Sequence, residues 1–408
     1  MLVESIVRKT LGLKRHRVKK VGEDDGCLVV WLLPDGRFKL VCSCCDAKGP
    51  GYDTLRERRW KHVPLWGIPV ILVYAPRRVS CSRCGVKVEA IPWTQGKSSL
   101  SLPLSVVLGT WAGLVAWNVV GQLFGFHWNT VRKAVKNLVV FGLENRDLQN
   151  VLYIGIDEIS RKRGHVYHTQ VYDLTEKRLL WSGEDRSAET LRRFFDQFGQ
   201  ERLEKIEAVC CDMWAPYVDV VKERLPNALL VFDKFHIVRH LMEAVDTVRK
   251  EEARELKADD PELLKKTRYI WLKNPWNLTE YQSARLSDLE KLNLKINRAY
   301  LLKEAFRRFW NYSYPACAKK YLGRWFWWAT HSRLKPFRDF AWMLRRHQED
   351  ILNYFKVRID NGAVEGLNNK AKAISHRAFG YRTAETFELA LYHGLGKLPT
   401  PPSTHKFV

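Results

Sequence analysis

The stretch VLYIGIDEIS, Val151–Ser160, is an apolar run that reaches Asp157 and is followed at once by Glu158. A run of Val, Leu, Tyr and Ile predicts a buried β-strand, which we expect to end at Asp157. One carboxylate at a sheet edge is chemically idle. Two or three that converge on one point would bind Mg²⁺, which takes oxygen ligands in near-octahedral geometry. Whether Asp157 acts in this way depends on partners elsewhere in the chain.

The bulk composition indicates a globular protein with a polyanionic partner. The 408 residues, 46% of them hydrophobic, suffice for about two to four domains. Lys and Arg number 68 against 45 Asp and Glu, and the net charge of +23 favours DNA, since neutralising phosphates releases counterions. A basic surface that binds nothing is the alternative. No apolar run reaches the roughly 18 residues of a membrane helix, and no signal peptide is visible. We therefore expect a cytoplasmic, nucleoid-associated protein without a membrane partner.

Residues 1–95 predict a β module with zinc-binding knuckles. CSCC (42–45) and CSRC (81–84) are separated by 35 residues, and two CxxC turns supply the thiolates of a tetrahedral, structural Zn²⁺. The ligands predicted are Cys42, Cys45, Cys81 and Cys84, with Cys44 in place of Cys45 and His62 in place of one thiolate as alternatives. Residues 27–33 and 37–42 predict a hairpin, and the stretch between the knuckles predicts a β-ribbon. The basic run at 14–20 is interpreted as either a solvated strand face or a phosphate contact.

After a predicted linker at 92–103, residues 100–148 predict a helix-turn-helix DNA-binding domain. Gly121 stands where the first helix needs a small residue, Gly125 allows the turn, and Val131 packs the second helix on the first. A generic helical hairpin shows the same pattern, but the net charge and the zinc module favour DNA binding. The second helix, about 128–138, is predicted to turn outward the side chains of a major-groove recognition helix: Asn129, Thr130, Arg132, Lys133 and Lys136.

From Val151 onward the pattern becomes strands, then strands alternating with helices. Strands are predicted at 151–157, 165–174, 178–183, 206–211 and 228–233, with helices from Ser187 and after Met213. Three meandering strands followed by alternation is the order of an RNase H-like fold, a mixed sheet flanked by helices. In that order the first and fourth strands are neighbours, so Asp157 and Asp212 are expected to lie side by side.

The third carboxylate is predicted in the stretch DNGAVEGLNNKAK, residues 360–372. Asn361 would cap a helix whose first turns hold Glu365. Asn368, Asn369 and Lys372 follow Glu365 at spacings of three, four and seven, so they share its face. This arrangement suits a metal ligand with a phosphate clamp beside it, and the basic stripe continues at His376, Arg377 and Arg382. A solvated polar helix is the alternative.

Asp157, Asp212 and Glu365 together predict a site for two Mg²⁺ (or Mn²⁺) ions. Two such ions about 4 Å apart bridge a scissile phosphate, activate water or a DNA 3′-hydroxyl, and stabilise the leaving oxygen. Alternative ligands lie nearby, Glu158 for Asp157 and Asp360 for Glu365. Because adjacent strand residues point to opposite sides, Glu158 is expected to face away from the site.

With these residues in view, nearly the whole chain resembles the ISL3 family of insertion-sequence transposases, within the wider DDE transposases. GIDEIS (155–160) is similar to the family's first-aspartate motif, CDMWAPY (211–217) to the second, and EGLNNKAKAISHRAFGYR (365–382) to the signature around the catalytic glutamate. The resemblance implies metal-dependent cleavage and joining of DNA. From DKFHIVRHL (233–241) it also implies that His236 assists near the active site, beside Asp233.

Two departures from the family pattern have consequences. The first knuckle has CSCC followed by Asp46, where the family usually has Pro and Gly around the thiols. The resemblance alone therefore does not identify which of these thiolates bind zinc. The spacing of 153 residues from Asp212 to Glu365 is far more than a bare RNase H core needs, and the resemblance implies an inserted helical domain there. Within that insertion we predict that most of seven tryptophans form a helical core: Trp271, Trp276, Trp310, Trp325, Trp327, Trp328 and Trp342. Exceptions, able to stack on unpaired bases, are expected first in RWFWWATHSRLK (324–335).

The predicted fold class is therefore multidomain α/β. A zinc-binding β module (1–95) and a helix-turn-helix (100–148) precede an RNase H-like core (150–235), a helical insertion (236–356), and a second core segment with the C-terminal tail (357–408). The predicted function is a transposase that binds terminal inverted repeats, cleaves a strand and transfers it to target DNA. A dimer or higher oligomer is expected, because two ends must be brought together. A DNA-binding regulator with an inert core and a nuclease that does not join DNA are the alternatives.

Overall fold

The computed structural model describes residues 3–11, 13–94, 96–162, 164, 166–256, 260, 262–359 and 362–401, which form two compact units. The first unit contains the chain up to Asp147 together with the chain from Ala373, and the second contains Leu148–Lys372. Each unit has its own buried core. In the described ranges, no helix combines the length and the apolar content needed to cross a membrane.

The N-terminal part of the first unit is a helix followed by small β-sheets. Its elements are α1 (Val3–Leu11), β1 (His16–Asp24), β2 (Cys27–Pro34), β3 (Leu40–Val41), β4 (Lys48–Gly49), β5 (Gly51–Thr54), β6 (Arg58–Leu65), β7 (Ile68–Tyr74), β8 (Arg77–Cys81) and β9 (Gly85–Val88). A four-stranded sheet has the order β1-β2-β7-β6, β3 pairs with β4, and the order β5-β8-β9 forms a third sheet. The prediction of β structure between the two knuckles is confirmed.

The predicted hairpin between residues 27–33 and 37–42 is wrong, because β2 pairs with the strand that precedes it. β1 and β2 are antiparallel and meet at Asp25 and Gly26, whose φ angles are 50° and 68°. Two consecutive positive φ angles are typical of a type I′ turn, whose twist matches that of the flanking strands. The basic run therefore lies on a strand, where His16 is buried and Lys20 Nζ sits 4.2 Å from the ring centroid of Trp31.

The predicted linker at 92–103 is packed against the β module rather than free. Trp93 is 1% exposed. The Lys61 amide donates to Ser99 O and the Ser101 amide donates to Lys61 O, each at 2.9 Å. The segment joins the sheet to three helices, α2 (Leu102–Leu114), α3 (Trp117–Phe124) and α4 (Trp128–Asn145).

The turn between α3 and α4 depends on two glycines. Gly125 ends α3 in the left-handed region with φ 68°, and a Cβ on Gly121 would lie 2.4 Å from Phe126 O. Val131 on α4 is fully buried in the core shared with α2 and α3. The sharp turn and the close approach of the two helices thus use the residues that the sequence indicates.

The second unit is built on a five-stranded mixed sheet. Its first elements are β10 (Tyr153–Lys162), β11 (Val166–Asp173), β12 (Arg178–Glu184), α5 (Ala188–Phe198), α6 (Gln200–Leu203), β13 (Ala208–Cys211), α7 (Ala215–Arg224) and β14 (Leu229–Phe232). The strand order is β12-β11-β10-β13-β14, antiparallel on the β11 side and parallel on the β13 side. The prediction that the first and fourth strands are neighbours is confirmed, since residues 153–155 pair with residues 208–210.

β10 differs from the prediction by continuing past Asp157 to Lys162. Its parallel pairing with β13 stops at Gly155, whereas its antiparallel pairing with β11 continues through Asp157 opposite Gln170. Asp157 therefore lies just beyond the point where one neighbouring strand has ended. The connection from β10 to β11 is described only in part, because Arg163 and His165 lie outside the described residues.

Helices occupy the chain between β14 and residue 359. They are α8 (Lys234–Glu255), α9 (Arg268–Leu272), a 3₁₀ turn (Pro275–Asn277), α10 (Glu280–Glu290), α11 (Lys295–Phe309), α12 (Pro315–His331), α13 (Lys335–Arg346), α14 (Gln348–Leu352) and α15 (Tyr354–Val357). The prediction that most of the seven tryptophans are core residues is wrong. Three are buried, at positions 271, 310 and 325, and four are exposed, at positions 276, 327, 328 and 342. In W-F-W-W (325–328) the residues turn through about 100° each, so they cannot all face one core.

The described chain ends with α16 (Gly362–Arg377) and α17 (Ala384–Leu395). α17 packs on α4, and its Leu389 and Ala390 belong to the core around Leu104 and Val135. Residues from 373 onward belong to the first unit, whereas the sequence predicted a second core segment together with the C-terminal tail over 357–408. The predicted cap Asn361 and the alternative ligand Asp360 lie outside the described residues.

We expect Gly121→Ala to destabilise the first unit, because the added Cβ would lie 2.4 Å from a backbone oxygen of the turn. Overpacking of this kind costs roughly 1–3 kcal/mol, measurable as a fall in the free energy of unfolding in urea. Gly323 inside α12 is the matched control, since a Cβ there meets nothing within 4 Å. Gly323→Ala should stabilise by about 0.5–1 kcal/mol, and equal effects of the two changes would contradict the packing described.

Candidate active site

Asp157 is held on β10 by two hydrogen bonds. Its Oδ1 accepts from the amide of Glu158 at 2.8 Å, and its Oδ2 accepts from Asn368 Nδ2 on α16 at 2.7 Å. Burial raises the pKa of the Asp157 carboxyl, and the charges of Asp233 and Asp212 add to this effect, while the Glu158 amide and His236 oppose it. The carboxylate is therefore fixed in orientation and short of positive charge.

Asn368 connects Asp157 to the interior of the sheet. The hydroxyl of Tyr172 on β11 donates to Asn368 Oδ1 at 2.7 Å, and the other end of the same amide donates to Asp157. Tyr172 is fully buried and Asn368 is 7% exposed. Since both polar groups of the amide are satisfied, the bridge fixes the α16 side chain against β10 and β11.

Asp212 follows β13 directly and faces His236. Its Oδ1 accepts from the Met213 amide at 2.6 Å, and its Oδ2 lies 3.8 Å from His236 Nε2. The other imidazole nitrogen, Nδ1, lies 2.7 Å from Asp233 Oδ2. Asp233 in turn caps α8, with Oδ1 accepting from the Phe235 amide at 3.0 Å.

Two basic side chains of α8 lie close to Asp212 Oδ2, with His236 Nε2 at 3.8 Å and Arg239 Nη2 at 4.0 Å. Burial alone would lower the pKa of His236, but the hydrogen bond to Asp233 and the charges of Asp212 and Asp157 outweigh burial, so the pKa of His236 is raised. A raised pKa favours the imidazolium, which partly neutralises the carboxylates on both sides. The sequence suggested His236 only through the resemblance of the Asp233–His236 motif, and the cap on α8 explains why those two residues are three positions apart.

A cavity of about 630 Å³ joins these residues to the face of α16 that carries Glu365. Its wall includes Asp157, Asp233 and His236 from the sheet and α8, and Glu365, Asn368, Asn369 and Lys372 from α16. Four α16 side chains at the predicted spacings of three, four and seven thus line one space. Asp212 does not line this cavity, but its Oδ2 lies 3.8 Å from Nε2 of His236, which does line it.

The three predicted catalytic carboxylates do not have their oxygens all within 4.8 Å of one another. In the described ranges, the only His, Cys, Asp or Glu group with all ligand atoms within 4.8 Å of one another is a set of cysteines. A two-metal site has a different requirement, because ions about 3.5–4 Å apart with oxygens at about 2.1 Å separate the outermost ligands by up to about 8 Å. The three candidate ligands are carboxylates, the oxygen donors that hard cations such as Mg²⁺ prefer.

Glu158, the alternative to Asp157, lines the same cavity, so the expectation that it faces away from the site is wrong. Its carboxylate is 2.6 Å from Arg186 Nε, and the guanidinium carbon of Arg186 stands 4.4 Å from the ring centroid of Trp214. Burial raises the pKa of Glu158 to about 7, with Asp157 and Asp212 adding to the rise and Arg186 opposing it. Asp157 bonds to Asn368 on α16 and Glu158 forms an ion pair with Arg186, so the two adjacent carboxyl groups have different partners although both residues line the cavity.

Four of the six cysteines of the first unit form the compact group noted above: Cys42, Cys45, Cys81 and Cys84. Cys45 Sγ and Cys81 Sγ are 3.5 Å apart, close to the roughly 3.8 Å edge of a tetrahedron with Zn–S bonds of about 2.3 Å. Backbone amides of Arg83 and Cys84 lower the pKa of the Cys81 thiol to about 7, which favours the thiolate.

The two alternative zinc ligands are not members of this group. Cys44 is exposed. His62 is buried, with Nδ1 2.8 Å from Ser101 Oγ. Neither belongs to the four-thiol cluster, so the geometry favours the ligand set that the CxxC spacing indicates.

Some of the predicted DNA-contacting residues of α4 face solvent, and the others pair with a residue of α17. Asn129 and Lys133 are exposed and Thr130 is partly exposed. Arg132 and Lys136 both form ion pairs with Glu385, at 2.9 and 2.8 Å. The predicted basic stripe after α16 is also engaged in part, since Arg377 donates to Gly113 O and Ala112 O. Arg382 borders an apolar cavity beside Trp117 and Tyr381.

Two segments of this chain match known protein families, and nearly the whole chain is similar to known transposases. Residues 154–391 match the ISL3 family described as transposase, and residues 40–84 match the zinc-finger of transposases of IS204, IS1001, IS1096 and IS1165. The chain is 30% identical to the transposase for insertion sequence element IS1001 of Bordetella parapertussis, over 96% of this chain and 98% of that protein. It is 31% identical to the transposase for insertion sequence element IS1557 of Mycobacterium tuberculosis (strain H37Rv), over 94% and 92% respectively.

Asn368→Ala is expected to destabilise the second unit, because it leaves the buried Tyr172 hydroxyl and Asp157 without their shared partner. Each orphaned buried group costs roughly 1–3 kcal/mol, so we expect a clear fall in the free energy of unfolding. Asn369→Ala is the matched control, since Asn369 is exposed on the same helix and lines the same cavity. Equal stability of the two variants would show that the amide bridge is not stabilising.

Proposed function

The chain belongs to the ISL3 family of insertion-sequence transposases, and from that premise we propose that it cuts and joins DNA as a DDE enzyme with Asp157, Asp212 and Glu365 as its catalytic carboxylates. The observation that carries this proposal is the convergence of three remote chain segments. Asp157 and Glu365 line one cavity, and Asp212 approaches the same place through His236. The five-stranded order β12-β11-β10-β13-β14, with its antiparallel and parallel halves, supports an RNase H-like core under this site.

Each residue near the site has a distinct part in the proposed mechanism. Asn368 orients Asp157, and Asp233 holds His236 so that Nε2 faces Asp212. Asn369 and Lys372 offer an amide and an ammonium to a phosphate entering the cavity beside Glu365. Two Mg²⁺ or Mn²⁺ ions held by Asp157, Asp212 and Glu365 would supply the charge that activates the attacking hydroxyl and stabilises the leaving oxygen.

DNA recognition is assigned to the first unit. The exposed Asn129 and Lys133, with Thr130, form the free part of a recognition surface on α4. Arg132 and Lys136 would join it by exchanging Glu385 for phosphate, an exchange that a half-exposed ion pair permits at low cost. Arg377 and Arg382 are proposed as further DNA contacts on the segment after α16. Two transposon ends must be held together, so we propose that the active form is a dimer or higher oligomer acting on DNA in the nucleoid.

The cysteine group is proposed as a structural zinc site formed by Cys42, Cys45, Cys81 and Cys84. The cluster around these thiols has a core of only a few buried apolar residues, Val79 among them. A module with so little apolar area depends on metal for its stability. The match of residues 40–84 to a transposase zinc-finger supports the same ligand set.

Asp157→Asn, Asp212→Asn and Glu365→Gln should each reduce cleavage of DNA carrying the element's ends by at least about 100-fold, the scale of losing one preorganised electrostatic contact. End binding, measured by electrophoretic mobility shift, should remain, since the recognition surface is untouched. Glu158→Gln is the comparison at the neighbouring acid of the same cavity and should keep its cleavage rate, because its carboxylate is paired with Arg186 and is not one of the three proposed metal ligands. Full cleavage by any of the first three variants would remove that residue from the catalytic set.

Joining is tested separately with pre-cut ends and a target plasmid. The proposed transposase should yield branched or inserted products in Mg²⁺. A nuclease that does not join would cut and give no such products, and a regulator with an inert core would do neither.

Purified protein is expected to contain about one Zn²⁺ per chain by elemental analysis, and Cys45→Ser should lose it together with thermal stability of the first unit. Cys44→Ser is the control at the neighbouring position and should keep the metal, because Cys44 lies outside the cluster. Zinc loss in Cys44→Ser with retention in Cys45→Ser would reverse the assigned ligand set.

A further inference from the structure

The helical insertion carries an exposed surface of alternating aromatic and basic residues, here called the Trp-Arg face. On α12 it consists of residues at spacings of three, four and seven, and on α13 of residues at spacings of four, seven and eight, so each set lies on one side of its helix. The members are Arg324, Trp327, Trp328 and His331 on α12, and Arg338, Trp342, Arg345 and Arg346 on α13.

The tryptophans of this face are exposed to an unusual degree. Trp327 is 63% exposed, Trp342 52% and Trp328 40%, while Trp325 on the same helix is 3% exposed. The buried side of α12 is already complete, with Ala318, Leu322, Trp325 and Ala329 in the core. The outer indoles therefore contribute little to the core, and large exposed apolar groups gathered on one surface mark an interaction site.

The rings of the Trp-Arg face are already held in place. Trp327 stacks on His331 with centroids 4.5 Å apart and planes at 24°, and Trp342 meets Phe326 edge to face at 5.1 Å. The guanidinium carbon of Arg345 lies 5.6 Å from the centroid of the same Phe326 ring. Rings that are ordered before binding lose little conformational freedom when a partner arrives.

The positive charge of α12 and α13 favours a negatively charged partner. Residues 315–346 contain eight Lys and Arg and a single acidic residue, Asp339. Lys319 pairs with Glu349, whereas Arg324, Arg338 and Arg346 form no ion pair with any residue in the described ranges. A surface that combines planar rings with uncompensated guanidinium groups complements a chain of bases and phosphates.

We infer that the Trp-Arg face binds single-stranded DNA, with unpaired bases stacked on Trp327, Trp328 and Trp342 and phosphates on the intervening arginines. In a duplex the base faces are covered by their neighbours, so exposed indoles find faces only where strands have separated. The inference rests on the proposed function and deepens it, because it assigns the insertion the strand freed at a cleaved or melted transposon end.

The test uses the full-length protein and a fluorescein-labelled (dT)₁₀ strand, with a labelled duplex carrying the element's end measured in parallel. Stacking contributes roughly five- to 150-fold in affinity per base. Trp327→Ala and Trp342→Ala should therefore each weaken binding of (dT)₁₀ at least fivefold and leave duplex-end binding unchanged. Trp327→Phe should bind nearly as well as the unaltered protein, and Trp327→Leu should bind as poorly as Trp327→Ala.

Trp276→Ala is the matched control. Trp276 is 69% exposed in the same insertion, and Arg307 lies 4.2 Å from its ring centroid, but it is not part of the Trp-Arg face. Its replacement should leave (dT)₁₀ binding unchanged, and all variants should keep the unaltered melting temperature, because the replaced rings lie outside the core.

Several outcomes would overturn the inference. These are unchanged (dT)₁₀ binding in Trp327→Ala and Trp342→Ala, an equal loss of duplex binding, or a change in sedimenting mass without a change in (dT)₁₀ binding, which would make the face a contact between copies of the chain. Failure of the transposase function itself is read from a different result, namely full cleavage by Asp157→Asn, and that result does not depend on the tryptophans.

Discussion

The parallel pairing of β10 with β13 is the constraint on which the second unit depends. Three residue pairs, 153–155 with 208–210, fix two strands that are more than 50 residues apart in the chain. β13 ends at Cys211, so Asp212 leaves the sheet at the level where β10 carries Asp157 past its neighbour. A slip of one residue would turn Asp157 to the face now occupied by Glu158 and Arg186. The pairing therefore decides which of two adjacent acids meets α16.

Gathering carboxylates on one side of a sheet has an electrostatic cost, and the surrounding residues offset only part of it. Asp233 forms the α8 cap, His236 supplies the one nearby imidazole, and the Met213 and Glu158 amides each donate to an aspartate. Burial still raises the pKa of Asp157. A site that leaves its acids undercompensated is organised for a cation or for a proton, and not for stability alone.

The sequence predicts well where one local rule decides the structure and poorly where several segments compete. The strand order followed from apolar runs, and the knuckle cysteines from their spacing. The β1–β2 hairpin was missed although Asp25-Gly26 is a strong turn signal, because Pro34-Asp35-Gly36 offered a competing turn. Trp276 and Trp342 were misassigned to the core because composition does not show which side of a helix a residue faces, whereas the exposed Trp327 and Trp328 lie in residues 324–335, where exceptions were expected first. The placement of α17 on α4 depends on contacts between segments about 250 residues apart, which no local pattern reveals.

The cysteine cluster has a consequence for the order in which the first unit assembles. Cys45 and Cys81 are 36 positions apart, and the chain between them runs through β4, β5, β6 and β7 before the second knuckle begins at the end of β8. Closing a loop of that length without intervening structure is entropically unfavourable. The sheet must therefore bring the two knuckles together before four thiols can share one ion. Because the sheet around the knuckles has so little apolar area of its own, the paired strands and the shared ion stabilise each other.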